Sequence, residues 1–205
     1  MRALVVLLLA LVHVADVDAP GGWTSYAARD GITLERRKPE GSRFYEHRAI
    51  VDVPGVTPAR AAEEIWHTMR SGDMESLKHR DILSEKPDEL VMYDQIHTPV
   101  VSDRDYTVRV RRYTVGARIW FECTTANERG PAPAPGYVRI PVVAAGWYVE
   151  PDGRGGTRLG YFAYSEPGGS VPAFLVRGPQ ADRSLADVVR MVKRLRATAR
   201  DPSLR

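Results

Sequence analysis

Between Leu159 and Arg200 the chain passes once from strand pattern to helix pattern. Leu159-Gly160-Tyr161-Phe162-Ala163-Tyr164 reads as a strand, and Ser165 to Pro172, with three prolines and glycines in a row at Pro167-Gly168-Gly169, reads as a turn. A long amphipathic helix follows, its apolar stripe made by Leu185, Val188, Val189, Val192 and Leu195. A sheet completed by a single helix has to bury that stripe against one of its own faces. A curved sheet closed in this way can hold a cavity, so the functional question is what fills the space between them. Ser170 is expected to cap the helix, with Pro172 in its first turn. Ser184-x-x-Asp187 matches a capping box further along. Pro179 lacks an amide donor and clashes one turn back, which predicts a kink or break at Gly178-Pro179.

Upstream, the pattern is predominantly β. Pro20 to Ser25 reads as a loop-like lead, Asp30-Gly31 as a turn, and Gly31–Arg37 and Phe44–Val53 as strands. Thr57 can cap and Pro58 can start a helix whose stripe is Ala61, Ala62, Ile65, Trp66 and Met69, ended by Ser71-Gly72-Asp73. Met74 to Arg80 reads as a second short helix. Strands then follow at Asp81–Glu85, Glu89–His97, Arg104–Thr114, Arg118–Ala126, Val138–Val143, Gly146–Glu150 and Thr157–Ser165. Short turns between sequential strands mean an antiparallel meander. The class is therefore α+β, a curved antiparallel sheet gripping a long C-terminal helix. Asn127 to Gly136, rich in Pro and Gly, is a longer loop that, with Gly178-Pro179, is expected to supply the moving parts.

A chain of 205 residues suits one domain. Met1-Arg2, an apolar run from Ala3 to Val12 and Val17-Asp18-Ala19 together have the shape of a secretory signal peptide. The run is shorter than the roughly 20 residues a membrane span needs. Residues 1–19 are read as the signal and 20–205 as the domain, which puts the protein in the periplasm or outside the cell. Cleavage is assigned after Ala19, or after Ala15 because Pro20 would follow the first site. Cys123 is the only cysteine, so no internal disulfide can form, and its strand setting suits a small buried hydrophobe better than a nucleophile. The net charge of +3 is mildly basic and asks for no nucleic acid. Arg190, Lys193, Arg194, Arg196 and Arg200 make the last helix basic, which allows transient contact with an anionic membrane. Nothing in the chain asks for an oligomer, so a monomer is expected.

No catalytic or metal-binding constellation stands out. The histidines, at 13, 47, 67, 79 and 97, lack the paired spacing of a metal helix. Gly153-x-Gly155-Gly156 precedes a strand and so offers no helix N-terminus to phosphate. There is no Gly-x-Ser-x-Gly elbow. From Arg104 onward, alternation puts Tyr106, Val108 and Val110 on one face and Arg109 and Arg111 on the other. Arg104 and Asp105 are read as structural, the first bonding carbonyls or a carboxylate and the second capping a turn.

These residues carry a resemblance. Trp23 with Asp30-Gly31-Ile32, the Arg104-Asp105-Tyr106 strand start, Val138-Arg139 followed by Gly146-Trp147-Tyr148-Val149-Glu150-Pro151, and Tyr164-x-x-Pro167-Gly168-Gly169-x-x-Pro172 are similar, in order and spacing, to a START domain. This is the StAR-related lipid-transfer family of the helix-grip superfamily, and the match runs from about Trp23 to Arg196. It implies a U-shaped sheet, a lidded apolar tunnel and one bound lipid or sterol, with no cofactor. The tunnel wall is then expected from Tyr93, Tyr106, Val108, Val110, Trp147 (or Tyr148), Tyr161 (or Phe162) and Tyr164. The helix would add Phe174, Leu175, Val188 and Val192. Two departures from the family stand out. The helix ahead of the first strand is missing or shortened, and Val110 falls where sterol-binding members carry the basic half of a buried acid–base pair, so no such pair is expected. The alternative within the superfamily is an enzyme, an aromatase/cyclase or hydrolase, for which Tyr106, Asp94 and His97 are the available acid–base groups. A third reading, a filled domain acting only by surface contact, would be favoured by an interior with no cavity of about 300 Å³ or more.

Overall fold

The structure is a computed structural model and describes residues 21–99 and 101–200. The segment read as a signal peptide, and the region where a preceding helix was expected to be short, lie outside those residues. Ten strands form one curved sheet: β1 (Thr24–Arg29), β2 (Ile32–Arg37), β3 (Glu46–Val53), β4 (Leu77–Lys86), β5 (Glu89–Ile96), β6 (Arg104–Val115), β7 (Arg118–Thr125), β8 (Val138–Arg139), β9 (Val142–Pro151) and β10 (Thr157–Glu166). Their spatial order is β1-β2-β3-β10-β9-β7-β6-β5-β4, antiparallel throughout, with the two-residue β8 added parallel to β6. Helix α1 (Pro58–Ser71) packs on β7, β9 and β10, while helix α2 (Ala173–Arg200) packs on β1, β2 and β3. This is the α+β helix-grip architecture expected.

Local chemistry accounts for the ends of α1. The Thr57 hydroxyl accepts the Arg60 amide at 3.3 Å, Pro58 occupies the first turn, and Gly72 takes the left-handed conformation, φ 75°, that stops it. Several expectations need correction. Of β1, Thr24 and Ser25 were read as part of a loop and Tyr26–Arg29 was not assigned, because the segment is largely exposed and shows no alternation. It forms through the hairpin turn at Asp30-Gly31, where both residues have positive φ. Met74–Arg80 is not helical: β4 already begins at Leu77, paired with Ile96, so cross-strand bonding overrides local helix preference. Val138–Val143 is two strands rather than one, because Ile140-Pro141 interrupts it and β9 starts at Val142.

The fourth correction concerns α2. The helix starts at Ala173, so Pro172 precedes it and Ser170 does not cap it. It then runs unbroken through Pro179. Proline leaves the Leu175 carbonyl without its amide partner, but that turn exposes Phe174 and Leu175, so water can take the bond. The helix persists because its later turns are buried: Leu185, Val188, Val192 and Leu195 are each at most 3% exposed. Pro179→Ala is expected to raise stability by about 2 kcal/mol, read as an upward shift of the thermal unfolding midpoint.

The loop from Asn127 to Gly136 is also not the free segment expected. Asn127 accepts the Thr107 amide at 2.8 Å and donates to the Ile140 carbonyl at 2.8 Å. Ala134 donates to Asp105, and Arg139 reaches the Pro131 carbonyl. The loop is thereby tied to β6 at both ends.

Candidate functional site

Two large hydrophobic clusters, bridged by Trp66 and Met69, build most of the interior. One joins both helices to β2, β3, β7, β9 and β10. The other joins Leu90, Met92 and Ile96 of β5 to Tyr106, Val108 and Val110 of β6, with Ile140. Between them lies a cavity of about 250 Å³, a little under the 300 Å³ mark set for the filled-domain reading. Strand alternation decides what faces it. Met92, Asp94 and Ile96 point in from β5, and Tyr106, Val108 and Val110 from β6. Val143, Ala145 and Trp147 come from β9, and Tyr161 and Ala163 from β10. Trp147 and Tyr161 lean on each other with ring centroids 4.7 Å apart.

Six of the expected lining residues are thus at the cavity: Tyr106, Val108, Val110, Trp147, Tyr161 and Tyr164. Five are not. Tyr93 is one residue out of phase with Met92 and Asp94, and its hydroxyl donates to Asp105 on the other face of the sheet. Phe174 is 73% exposed and Leu175 37% exposed, at the start of α2. Val188 and Val192 are fully buried in the cluster beneath α2. The most apolar stripe of the helix packs against the sheet, so a neighbouring stripe of mixed polarity meets the cavity: Gln180, Ser184, Asp187, Met191 and Arg194, flanked by Arg183 and Arg190.

The expectation of no acid–base pair is overturned. Arg80 of β4 and Asp94 of β5 are register partners, and both reach the cavity. Their contact is bidentate, at 2.6 and 2.5 Å, and Asp94 is 1% exposed. Arg80 also donates to the Met69 carbonyl near the end of α1, at 2.5 Å. Burial works against the guanidinium charge, but the Asp94 carboxylate outweighs it and holds the Arg80 pKa above its ordinary value. The pair was missed because the basic partner was sought on β6. The legible signal was Asp94 itself, an acid on the inward side between Met92 and Ile96. Arg104, by contrast, is structural as expected: it donates to the Pro167 carbonyl at 3.1 Å and to the Ser102 carbonyl. Asp105 does not cap a turn of its own. It is fully buried and takes two bonds from Arg139, one from Tyr93 and one from Ala134.

Burial also sets the protonation of the wall. It pushes the Tyr106 hydroxyl well above its ordinary pKa, with the Asp94 charge adding to the effect. Burial, again with Asp94, lifts the Cys123 thiol to about 12, so it stays protonated and unreactive. Burial, then Arg36, lowers His47 to about 4. Burial raises Asp187 to about 6, against the opposing pull of Arg190 and Arg183. The last two act oppositely on stability. The contribution of Asp187 is complete below its unfolded value of 3.8 and is lost as pH rises through 6. The contribution of neutral His47 is present above 6.5 and is lost as pH falls through 4. Asp187→Asn is therefore expected to stabilise the protein by about 2 kcal/mol at pH 8 and to leave it unchanged near pH 3.5, measured by denaturant titration at both pH values.

The cationic residues of α2 are mostly engaged. Arg190 donates to the Asp73 carbonyl at 3.2 Å and pairs with Asp187 at 3.4 Å. Arg194 pairs with Asp73 and with Glu64, and Lys193 reaches Asp30 at 2.9 Å. The seam between α2 and the loop after α1 is closed by the contacts of Arg190 and Arg194 with Asp73. Among the described residues, no group of three or more His, Cys, Asp and Glu side chains could hold a metal ion, and no helix is long and apolar enough to cross a membrane.

Comparison with known proteins agrees with this fold, which solved structures share. A STAR-related lipid transfer protein of Xanthomonas axonopodis has a TM-score of 0.73 and 22% identity, over 86% of this chain and 99% of that one. Human StAR-related lipid transfer protein 5 has a TM-score of 0.76 and 18% identity, over 97% and 98%. The mouse phosphatidylcholine transfer protein is 23% identical over 159 residues, 75% of this chain and 74% of its own length. An uncharacterized protein of Pseudomonas aeruginosa is 23% identical over 183 residues, 88% and 90%. The START domain model matches residues 8–200, and the chain belongs to that family.

Proposed function

We propose that this protein binds and carries one hydrophobic ligand, a lipid or sterol, in the cavity between sheet and α2, without chemical conversion. The observation that carries the proposal is the gap between the two apolar clusters, with one buried ion pair and the Tyr106 hydroxyl at its wall. Apolar burial supplies the driving force, about 0.8 kcal/mol per methylene. A ligand's single polar end can then bond to Arg80, Asp94 or Tyr106 and avoid being buried unsatisfied. The carrier reading is preferred to an enzyme because several polar groups of the wall already have partners and burial holds the Tyr106 hydroxyl protonated. Asp94 is held by Arg80, Tyr161 by Ser184, and Tyr164 by Ser42 and Glu166.

Release on this reading opens the ion-paired seam between α2 and the loop after α1. It takes place at a membrane that Phe174 and Leu175 enter, near Arg43 and Arg177. Export of the chain after cleavage at Ala19 or Ala15 is part of the same proposal, checked by N-terminal sequencing of the mature protein. Native mass spectrometry of protein purified from cells, and again after delipidation and incubation with a membrane lipid extract, tests the carrier role. One bound lipid or sterol per chain is expected. A chain that stays empty in both preparations, or that turns over a panel of hydrophobic esters, would overturn the reading. Sedimentation with anionic vesicles, lost in Phe174→Asp, tests the membrane step.

A further inference from the structure

Methionine is scarce in this chain, and its placement is not scattered. There are five, and the four beyond Met1 all border the one cavity: Met69, Met74, Met92 and Met191. They come from four different segments, namely α1, the loop after it, β5 and α2. Met92 and Met191 are each 3% exposed, and Met69 packs against both apolar clusters. A methionine side chain is unbranched, has three rotatable bonds and a polarisable sulfur, and fills irregular space without fixing its shape. Leucine or isoleucine at the same places would define one outline. The 250 Å³ found here lies a little below the roughly 300–1,000 Å³ usual for small-molecule sites. That volume is bounded on several sides by chains that can rotate away. The strand floor adds no bulk at Ala145, Gly146 and Ala163.

We infer that this cavity is adaptable: it accepts long apolar ligands of different shape, straight, bent or ring-bearing, with similar affinity. The inference rests on the carrier reading and adds that selection acts on the ligand's polar end, at Arg80 and Asp94, and little on its body. In a rigid apolar pocket a misfit of one methylene costs about tenfold or more in discrimination. A wall that repacks gives most of that back.

The test compares two probes of identical composition and nearly identical transfer free energy, oleyl alcohol (bent) and elaidyl alcohol (straight), with cholesterol as a third. Affinities are measured by competition titration on the full chain and on Met92→Leu/Met191→Leu, a volume-conserving change that stiffens the wall. The wild-type protein is expected to bind the two alcohols within about threefold of each other, and the double variant to separate them by about tenfold or more. A wild-type preference of about tenfold for either isomer, or an unchanged ratio in the variant, would overturn the inference while leaving the carrier reading intact. Failure of all three probes to bind would overturn the inference, and the native mass spectrometry above would then decide the carrier reading. Should the double variant not fold, the wild-type ratio and the single variant Met74→Leu, at a half-exposed position, decide the matter.

Discussion

Asp94→Ala is expected to lower the stability of the protein by about 3–5 kcal/mol, a fall of about 10 °C in the unfolding midpoint. The change leaves the Arg80 guanidinium, whose side chain is 10% exposed, charged and without its carboxylate. Its remaining bond to the Met69 carbonyl does not neutralise it. The cost is that of an uncompensated buried charge, and not the worth of the pair, so removing both charges should undo most of it. Arg80→Met/Asp94→Leu is expected to recover all but about 1 kcal/mol, because a buried ion pair and a well-packed apolar pair are close in energy. Binding should respond differently. The double variant is expected to hold a polar-ended ligand such as cholesterol about tenfold more weakly, since one hydrogen bond to a charged partner is lost. Thermal unfolding and ligand titration on the same three proteins separate the two roles. Full affinity in the stable double variant would show that the pair serves folding alone.

Gly146→Ala is the second large effect, expected to cost about 3 kcal/mol or more and to lower the midpoint by about 6–12 °C. Gly146 sits in β9 opposite Glu122 of β7 and Phe162 of β10. A Cβ built there overlaps the Phe121 carbonyl oxygen, and it lies 2.9 Å from Phe162 Cζ. The Phe162 side chain can swing aside, but the carbonyl belongs to the sheet backbone, so β7 and β9 would have to part. Gly178→Ala is the control: nothing beyond its chain neighbours lies within 4 Å of its added Cβ, and it stands inside α2. That change should move stability by no more than about 1 kcal/mol, since alanine's smaller loss of freedom in a helix is opposed by its Cβ crowding the Pro179 ring. Equal effects of the two glycine substitutions would refute the steric account of Gly146.

Much of the architecture was legible because periodicity is local. The alternation of Tyr106, Val108 and Val110 named their common face, and all three reach the cavity. The stripe of Leu185, Val188, Val189, Val192 and Leu195 named the buried face of α2. The errors share one cause. β1 and the start of β4 carry little pattern of their own and exist through their pairing with β2 and β5. Phe174 was taken for a wall residue on hydrophobicity, which cannot tell a cavity from a surface.

By itself, then, the sequence determined most of the element order, the inward face of β6, the buried stripe of α2, and the single-helix closure of the sheet. Each of these follows from residues within a few positions of one another. Only the tertiary structure decided that Arg80 meets Asp94 across 14 positions of sequence, that Arg190 and Arg194 clasp the loop after α1, and that four methionines from four segments share one cavity. Those juxtapositions depend on strand register and on where α2 lands on the curved sheet, and no local period encodes either. The apolar stripe of α2 was claimed by packing against β1, β2 and β3, which left its mixed neighbour to face the ligand space. For that reason the polar character of the site emerged only when the chain was folded.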